Sequence, residues 1–216
     1  MKILGLIICI AAFSFSTGFT QIEQLSVTEV DDLNYLYDEE RLAHDIYVEL
    51  SDKWELSIFE NIAKSEKMHF EHLLVIYEKY GIPVPKNYNG FYNYPELNIM
   101  YDRFFEGGTM TLESSLTLAA NFEEYDIADL ERYLTHTQNV DLILVYNSLL
   151  EGSKNHLRAI HRNIKKHGFD YEPVFLEKRQ FRQIIKEMNG KGRMEDCNCP
   201  KKMKKRQHRK GKVGSK

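Results

Sequence analysis

Glu66 and His69 stand three residues apart in a stretch whose apolar residues, Ile62, Ala63, Phe70 and Leu73, recur at intervals of three and four. On a helix that spacing puts a carboxylate and an imidazole on one face, where both can ligate one cation or two adjoining ones. Three other stretches carry a similar interruption. Glu40 lies between Tyr37 and the group Ala43, His44 and Tyr47. Glu123 falls on the line Leu116, Ala119, Ile127 and Leu130, with Asp126 three residues further on. His156 follows Leu149 by seven and precedes Ile160 by four. A carboxylate on the apolar face of a helix is costly unless it is paired or bound to a cation. Glu40, Glu66, His69, Glu123, Asp126 and His156 are therefore the candidate metal ligands. Hard oxygens with one imidazole per ion favour Fe, Mn or Zn over Cu(I).

Each signal has a plainer reading. A single Glu-x-x-His is common on solvated helix faces, and a single inward histidine is more often hydrogen-bonded core than ligand. A metal-free bundle with a buried hydrogen-bonded network is the alternative for the whole set. Glu39, Glu124 and Glu131 read as solvated surface carboxylates. Tyr37 and Tyr47, within a turn or two of Glu40, read as core packing.

The elements that must position these groups are helices, because apolar residues recur at three and four from about Asp31 to Lys166 and no stretch alternates with period two. The first helix buries Leu33, Leu36, Tyr37, Ala43, Tyr47 and Leu50, with Asp31 or Asp32 as its cap. The second opens at Ser57-Ile58-Phe59-Glu60, a capping-box pattern, and ends at Gly81 and Pro83. Only a few residues separate the two, so they are antiparallel neighbours. The third runs from about Thr111 to Leu134 and the fourth from about Val140 to Lys166, joined by a short turn into a second hairpin. Between the hairpins lies Ile82 to Thr109, with a short helical piece around Pro95 to Glu106. A helix of about 24 residues is ~36 Å long, which a segment of that length can span. The chain is thus all-α: two antiparallel hairpins joined by one long crossover, the connection pattern of a ferritin-like four-helix bundle.

The ends differ from the body. Lys2 precedes an uncharged run from Ile3 to Phe15, followed by small and polar residues, the layout of a signal peptide over residues 1–21. That run is shorter than the roughly 20 residues of a spanning helix. The mature chain is therefore expected outside the cytoplasm, secreted or periplasmic, with no transmembrane segment. The bundle is expected over 31–168 and a short helical extension over 169–190. Residues 191–216 carry eleven Lys/Arg and two Asp/Glu, leaving 18 basic and 30 acidic residues for the rest of the chain. Such a basic tail is expected to be disordered, a solubilising extension by the plainer reading, with attachment to an anionic surface or polymer as the alternative. Its Cys197 and Cys199 can pair with each other, bridge to another chain or bind a soft metal, and they lie outside the core.

The run Glu40-Arg-Leu-Ala43-x-x-x-Tyr47, followed by Ile62-Ala63-x-x-Glu66-x-x-His69, resembles the first half of the rubrerythrin and ferritin-like superfamily. Together with Glu123-Glu124-x-Asp126-Ile127-x-Asp129-Leu130 and Gly152-Ser153-x-Asn155-His156-Leu157-Arg158, the pattern is similar to a prokaryotic ferritin-like family of unassigned function. The resemblance covers about Leu33 to Gly168. It implies two iron ions held by Glu40, Glu66, Glu123, His69 and His156, reacting with oxygen or peroxide. Ser153 departs from it, standing where a glutamate would precede the fourth-helix histidine by three; Asp126 is the residue placed to supply the missing carboxylate. Three functions follow: a redox-active metalloprotein of the di-iron carboxylate type, a metal-binding module without turnover, and a metal-free structural or interaction bundle. Metal ions are the expected partners, and a homodimer is open. No phosphate loop, nucleophile motif or zinc-finger spacing is present, and no specific nucleic-acid recognition is expected.

Overall fold

The computed structural model describes residues 24–86, 91–105 and 111–187, and among these the secondary structure is helical, in six α-helices. Helix α1 spans Val27–Trp54 and α2 Ser57–Tyr80. The short α3 covers Pro95–Arg103 and is followed by α4 over Leu112–His136 and α5 over Val140–Lys166. Helix α6 covers Lys178–Lys186. The expected signal peptide and the basic tail with Cys197 and Cys199 lie outside the described residues. None of the described helices is long and apolar enough to cross a membrane.

Two helix starts differ from the sequence reading. Helix α1 begins one turn before Asp31, at a capping box in which Ser26 Oγ accepts from the Glu29 amide at 3.2 Å and Glu29 accepts from the Ser26 amide at 2.8 Å. Ser57 does not cap α2. Leu56 occupies the cap position without a side-chain bond, and Ser57 is already the first helical residue. In the two-residue link Glu55 turns with a φ of 50° and Leu56 is the extended residue that takes the cap position, so Ser57 falls one residue too late to cap. Thr111 caps α4 through Ser114, and Asn139 caps α5 through the amides of Asp141 and Leu142.

Helices α1 and α2 pack as one hairpin and α4 and α5 as the other. Polar contacts fix how the hairpins meet. Between α1 and α4, Asp32 bonds His136 at 2.7 Å near one end, and Trp54 Nε1 donates to Ser115 at 2.9 Å near the other, so the two helices are antiparallel. Tyr80 donates to Asp141 at 2.7 Å, which aligns the end of α2 with the start of α5. Leu33, Leu36, Leu50, Phe59, Leu73, Leu116, Ile127, Leu149 and Ile160 are fully buried between the four long helices. Their burial supplies the main stabilisation.

Candidate metal centre

The bundle's midsection is polar. Glu66 projects from α2 and lies between two imidazoles, one from its own helix and one from α5 across the core. His69 Nδ1 lies 2.7 Å from Glu66 Oε2, and His156 Nδ1, from α5, lies 2.8 Å from Glu66 Oε1. Ligand atoms of these three residues all fall within 4.8 Å of one another, and all three residues are buried. The two rings are stacked with centroids 5.5 Å apart.

A second carboxylate flanks each imidazole. Glu40 Oε2, from α1, sits 3.1 Å from His69 Nδ1, and Glu123 Oε2, from α4, sits 3.4 Å from His156 Nδ1. Tyr47 donates its hydroxyl to Glu123 Oε1 and is itself fully buried. That contact gives the tyrosine a polar role beside the packing role read from the sequence. Asp126 is buried three residues from Glu123 and bonds Ser153, the residue that replaces the expected fourth-helix glutamate. It lies outside the tight triad of Glu66, His69 and His156. The other five candidates form one connected set through the four long helices.

Several atoms of the cluster have no hydrogen-bond partner: Glu40 Oε1, Asp126 Oδ1 and, by direction, His156 Nδ1. The last stands within ion-pair distance of Glu66 but off the line of an N–H···O bond. Electrostatics divides the carboxylates. Burial alone would raise Glu66, but His156 and then His69 outweigh it and hold its carboxyl below the usual range. Burial pushes Glu40 up to about 8, with His69 opposing and Glu66 adding to the rise. Asp126 goes well up through burial and the charges of Glu40 and Glu123, and burial raises Glu123 against the pull of His156. For His156, burial lowers the imidazole, yet Glu66 and Glu123 bring it to about 10. His69 is raised likewise, by Glu40 and then Glu66 against burial. A protein without bound cations must therefore keep protons here that a cation would replace.

The sequence reading missed three features. Gly152, four residues before His156, has no side chain because the His69 ring occupies the space: a Cβ there would lie 2.5 Å from His69 Nε2. A glycine on the inward stripe of a helix was the available signal. Glu39 and Glu124 were read as solvated and are both fully buried. Glu124 is covered because residues 171–176 lie across α4 and bond it, and Glu39 is enclosed in the α1–α4 seam. Glu131, also read as solvated, is partly covered by α6, where Gln180 donates to both of its oxygens at 2.9 and 2.8 Å.

Over residues 29–188 the chain matches the family model described as an uncharacterized protein domain, DUF2202. It is 37% identical over 172 residues to the uncharacterized protein MJ0754 of Methanocaldococcus jannaschii, an alignment covering 79% of this chain and 93% of that protein. The crystal structure of the hypothetical protein MJ0754 superposes with a TM-score of 0.73 at 36% identity, covering 76% of this chain and 95% of that one.

Proposed function

The chain belongs to the DUF2202 family, and on that premise we propose that it is a ferritin-like protein that holds a metal pair, iron first and Mn or Zn as alternatives, at the middle of its bundle. The observation that carries this reading is the pair of imidazole Nδ1 atoms set 2.7 and 2.8 Å from the two oxygens of one buried carboxylate. In di-iron carboxylate bundles two helices each give a glutamate and the other two each give a Glu-x-x-His pair. Here α1 and α4 give Glu40 and Glu123, α2 gives Glu66 and His69, and α5 gives His156 with Ser153 in place of the carboxylate.

The donor set fits such ions. Carboxylate oxygens and neutral imidazole suit Fe, Mn and Zn, and the unpartnered Glu40 Oε1, Asp126 Oδ1 and His156 Nδ1 are donor atoms that the protein's own hydrogen bonds leave free. Glu40, Glu66, His69, Glu123 and His156 would hold the ions, since each imidazole stands beside Glu66 and one further carboxylate. Asp126, aligned by Ser153, would stand in for the absent glutamate. Iron held there supplies one-electron chemistry towards oxygen or peroxide, a ferroxidase or peroxidase-type activity. Tyr47 holds the orientation of Glu123, and the packed apolar residues around the centre limit access of water.

A metal-free network has one observation in its favour: the Glu40, Glu66, Glu123, His69 and His156 side chains pair with one another. Elemental mass spectrometry decides between the two. The protein is purified after Fe, Mn and Zn supplementation beside a Glu66→Ala/His69→Ala variant. About two equivalents of iron or manganese, lost in the variant, are expected; no metal in either protein would refute the metalloprotein reading. Export rests on the layout of residues 1–21, and the intact mass of secreted or periplasmic material tests it.

A further inference from the structure

Tyr35 joins three half-buried phenols that come from three separate segments. Its hydroxyl shares a hydrogen bond at 2.7 Å with that of Tyr125, and its ring lies against that of Tyr94 with centroids 4.8 Å apart and planes tilted by 58°. Tyr35 belongs to α1, Tyr125 to α4, and Tyr94 is the cap residue of α3. On its other side the Tyr125 ring meets Phe175 edge to face at 5.6 Å, so both partners of the hydrogen bond are held by ring contacts. The other phenol pairs among the described residues are different. Tyr37 with Tyr77 and Tyr133 with Tyr146 are closed off from solvent, and Tyr92, which lies against Tyr101, is buried as well. Among the described residues, only at Tyr35 and Tyr125 do two phenolic oxygens meet, and there small solutes can reach both rings.

A phenol gives up an electron readily only when its proton leaves with it, and a second hydroxyl at hydrogen-bond distance is an acceptor for that proton. The phenoxyl radical carries its spin on oxygen and on the ring carbons ortho to it. In a hydroxyl-to-hydroxyl contact those ends of the two rings face each other. We infer that Tyr35 and Tyr125 are an oxidation site of this protein, at which a two-electron oxidant of the peroxide class couples them into dityrosine. Each ring loses one electron and its phenolic proton, and the two ortho carbons form the new C–C bond. The hydrogen that each of those carbons carried moves to its oxygen and restores both phenols. The oxidant takes up the electrons: hydrogen peroxide with the two protons becomes water, and persulfate becomes sulfate. The bond would join residues 90 positions apart, one in each hairpin. A covalent tie over such a loop restricts the unfolded chain and so favours the folded one. The inference needs neither the metal pair nor the histidines.

Persulfate with a light-driven ruthenium trisbipyridyl sensitiser is the probe, because it oxidises tyrosine without help from the protein. The full-length chain, with a chelator present, is oxidised beside Tyr35→Phe and Tyr125→Phe variants. Dityrosine fluorescence, the intact mass of the single-chain product and its peptide map are read. The unaltered chain is expected to become fluorescent, to lose the mass of two hydrogens and to yield a linked peptide pair carrying Tyr35 and Tyr125. Its thermal midpoint should rise, and both variants should lose that product. Equal dityrosine in Tyr35→Phe and the unaltered chain would overturn the inference. So would a map that links Tyr35 to Tyr94, or other tyrosines to one another, in place of Tyr125. Should a variant fail to fold by circular dichroism, the map of the unaltered chain decides alone, and absence of the Tyr35–Tyr125 link there overturns the inference.

Discussion

Glu124 and Glu39 are both fully buried, and they have opposite surroundings. Glu124 Oε1 accepts from the Tyr171 hydroxyl at 2.9 Å, and its Oε2 accepts from the amides of Val174, Phe175 and Leu176 at 2.8, 2.8 and 3.1 Å. Glu39 accepts nothing. One carboxylate is a structural clamp met by protein donors, and the other is enclosed with no hydrogen bond of its own. The same contrast separates Glu123 from Glu124, adjacent in the chain: one faces the histidines, while the other ties the segment before α6 across α4. Buried acids in this bundle thus fall into two kinds, told apart by their hydrogen bonds rather than by their depth.

The sharpest break of that comparison is Glu124→Ala. It removes four hydrogen bonds and strands three amide groups, so the cost is expected to be about 3–5 kcal/mol, the range for truncating a buried hydrogen-bonded charge. Denaturant unfolding measures it. Added Mn(II) or Fe(II) should leave the loss unrepaired, because the clamp lies outside the candidate ligands. A loss under about 1 kcal/mol would mean that residues 171–176 contribute little to the native state.

The next effect is a dependence of the metal-free fold on pH. Burial raises Glu40 from the ordinary 4.5 to about 8, so from pH 4.5 upward the unfolded chain gives up a proton that the folded chain keeps. Against burial, the neighbouring carboxylates raise His156 from 6.5 to about 10, and it acts in the same direction. Both contributions are present at the low end of their windows and vanish as pH rises through the folded values. Glu66, held below its usual range by the two imidazoles despite burial, acts oppositely and only towards acid. The metal-free thermal midpoint should therefore fall between about pH 4.5 and 10, first through Glu40 and then through His156. Cation binding displaces those protons, so affinity for Mn(II) should rise with pH over the same window. A midpoint that is flat across it, followed by calorimetry, would contradict the electrostatic picture of the centre.

Much of this was legible in the sequence because helical period reports one inward stripe. The expected span of the fourth helix, Val140 to Lys166, coincides with α5, and Glu66, His69 and His156 each interrupt a clean apolar line. Glu39 and Glu124 were misread for one reason. A residue about 100° off the main stripe is solvated only if nothing packs on the helix's flank. Here the flank of α1 meets α4, and the flank of α4 lies under residues 171–176, contacts between segments more than forty residues apart. The Ser57 capping box failed for a local reason: the pattern was right, but the tight turn at Glu55 set the helix start one residue too early for it.

Gly152→Ala tests the imidazole side of the comparison and should have the smallest effect on folding. Its Cβ would stand 2.5 Å from His69 Nε2 and 2.6 Å from Cε1, where ordinary contact begins near 3.4 Å. The ring cannot swing away freely, because Nδ1 is held between Glu40 and Glu66 on the opposite edge. Either α5 shifts outward or the imidazole tilts off Glu66. Overpacking of this kind costs about 1–3 kcal/mol, partly offset because alanine favours a helix over glycine by roughly 1 kcal/mol. Stability should therefore change little while binding of Zn(II), which needs the imidazole, weakens at least tenfold. Unchanged Zn(II) affinity in a titration of the variant would show that the position of the His69 ring does not govern binding at the centre, and would break the contrast between acids that face imidazoles and acids held by protein donors.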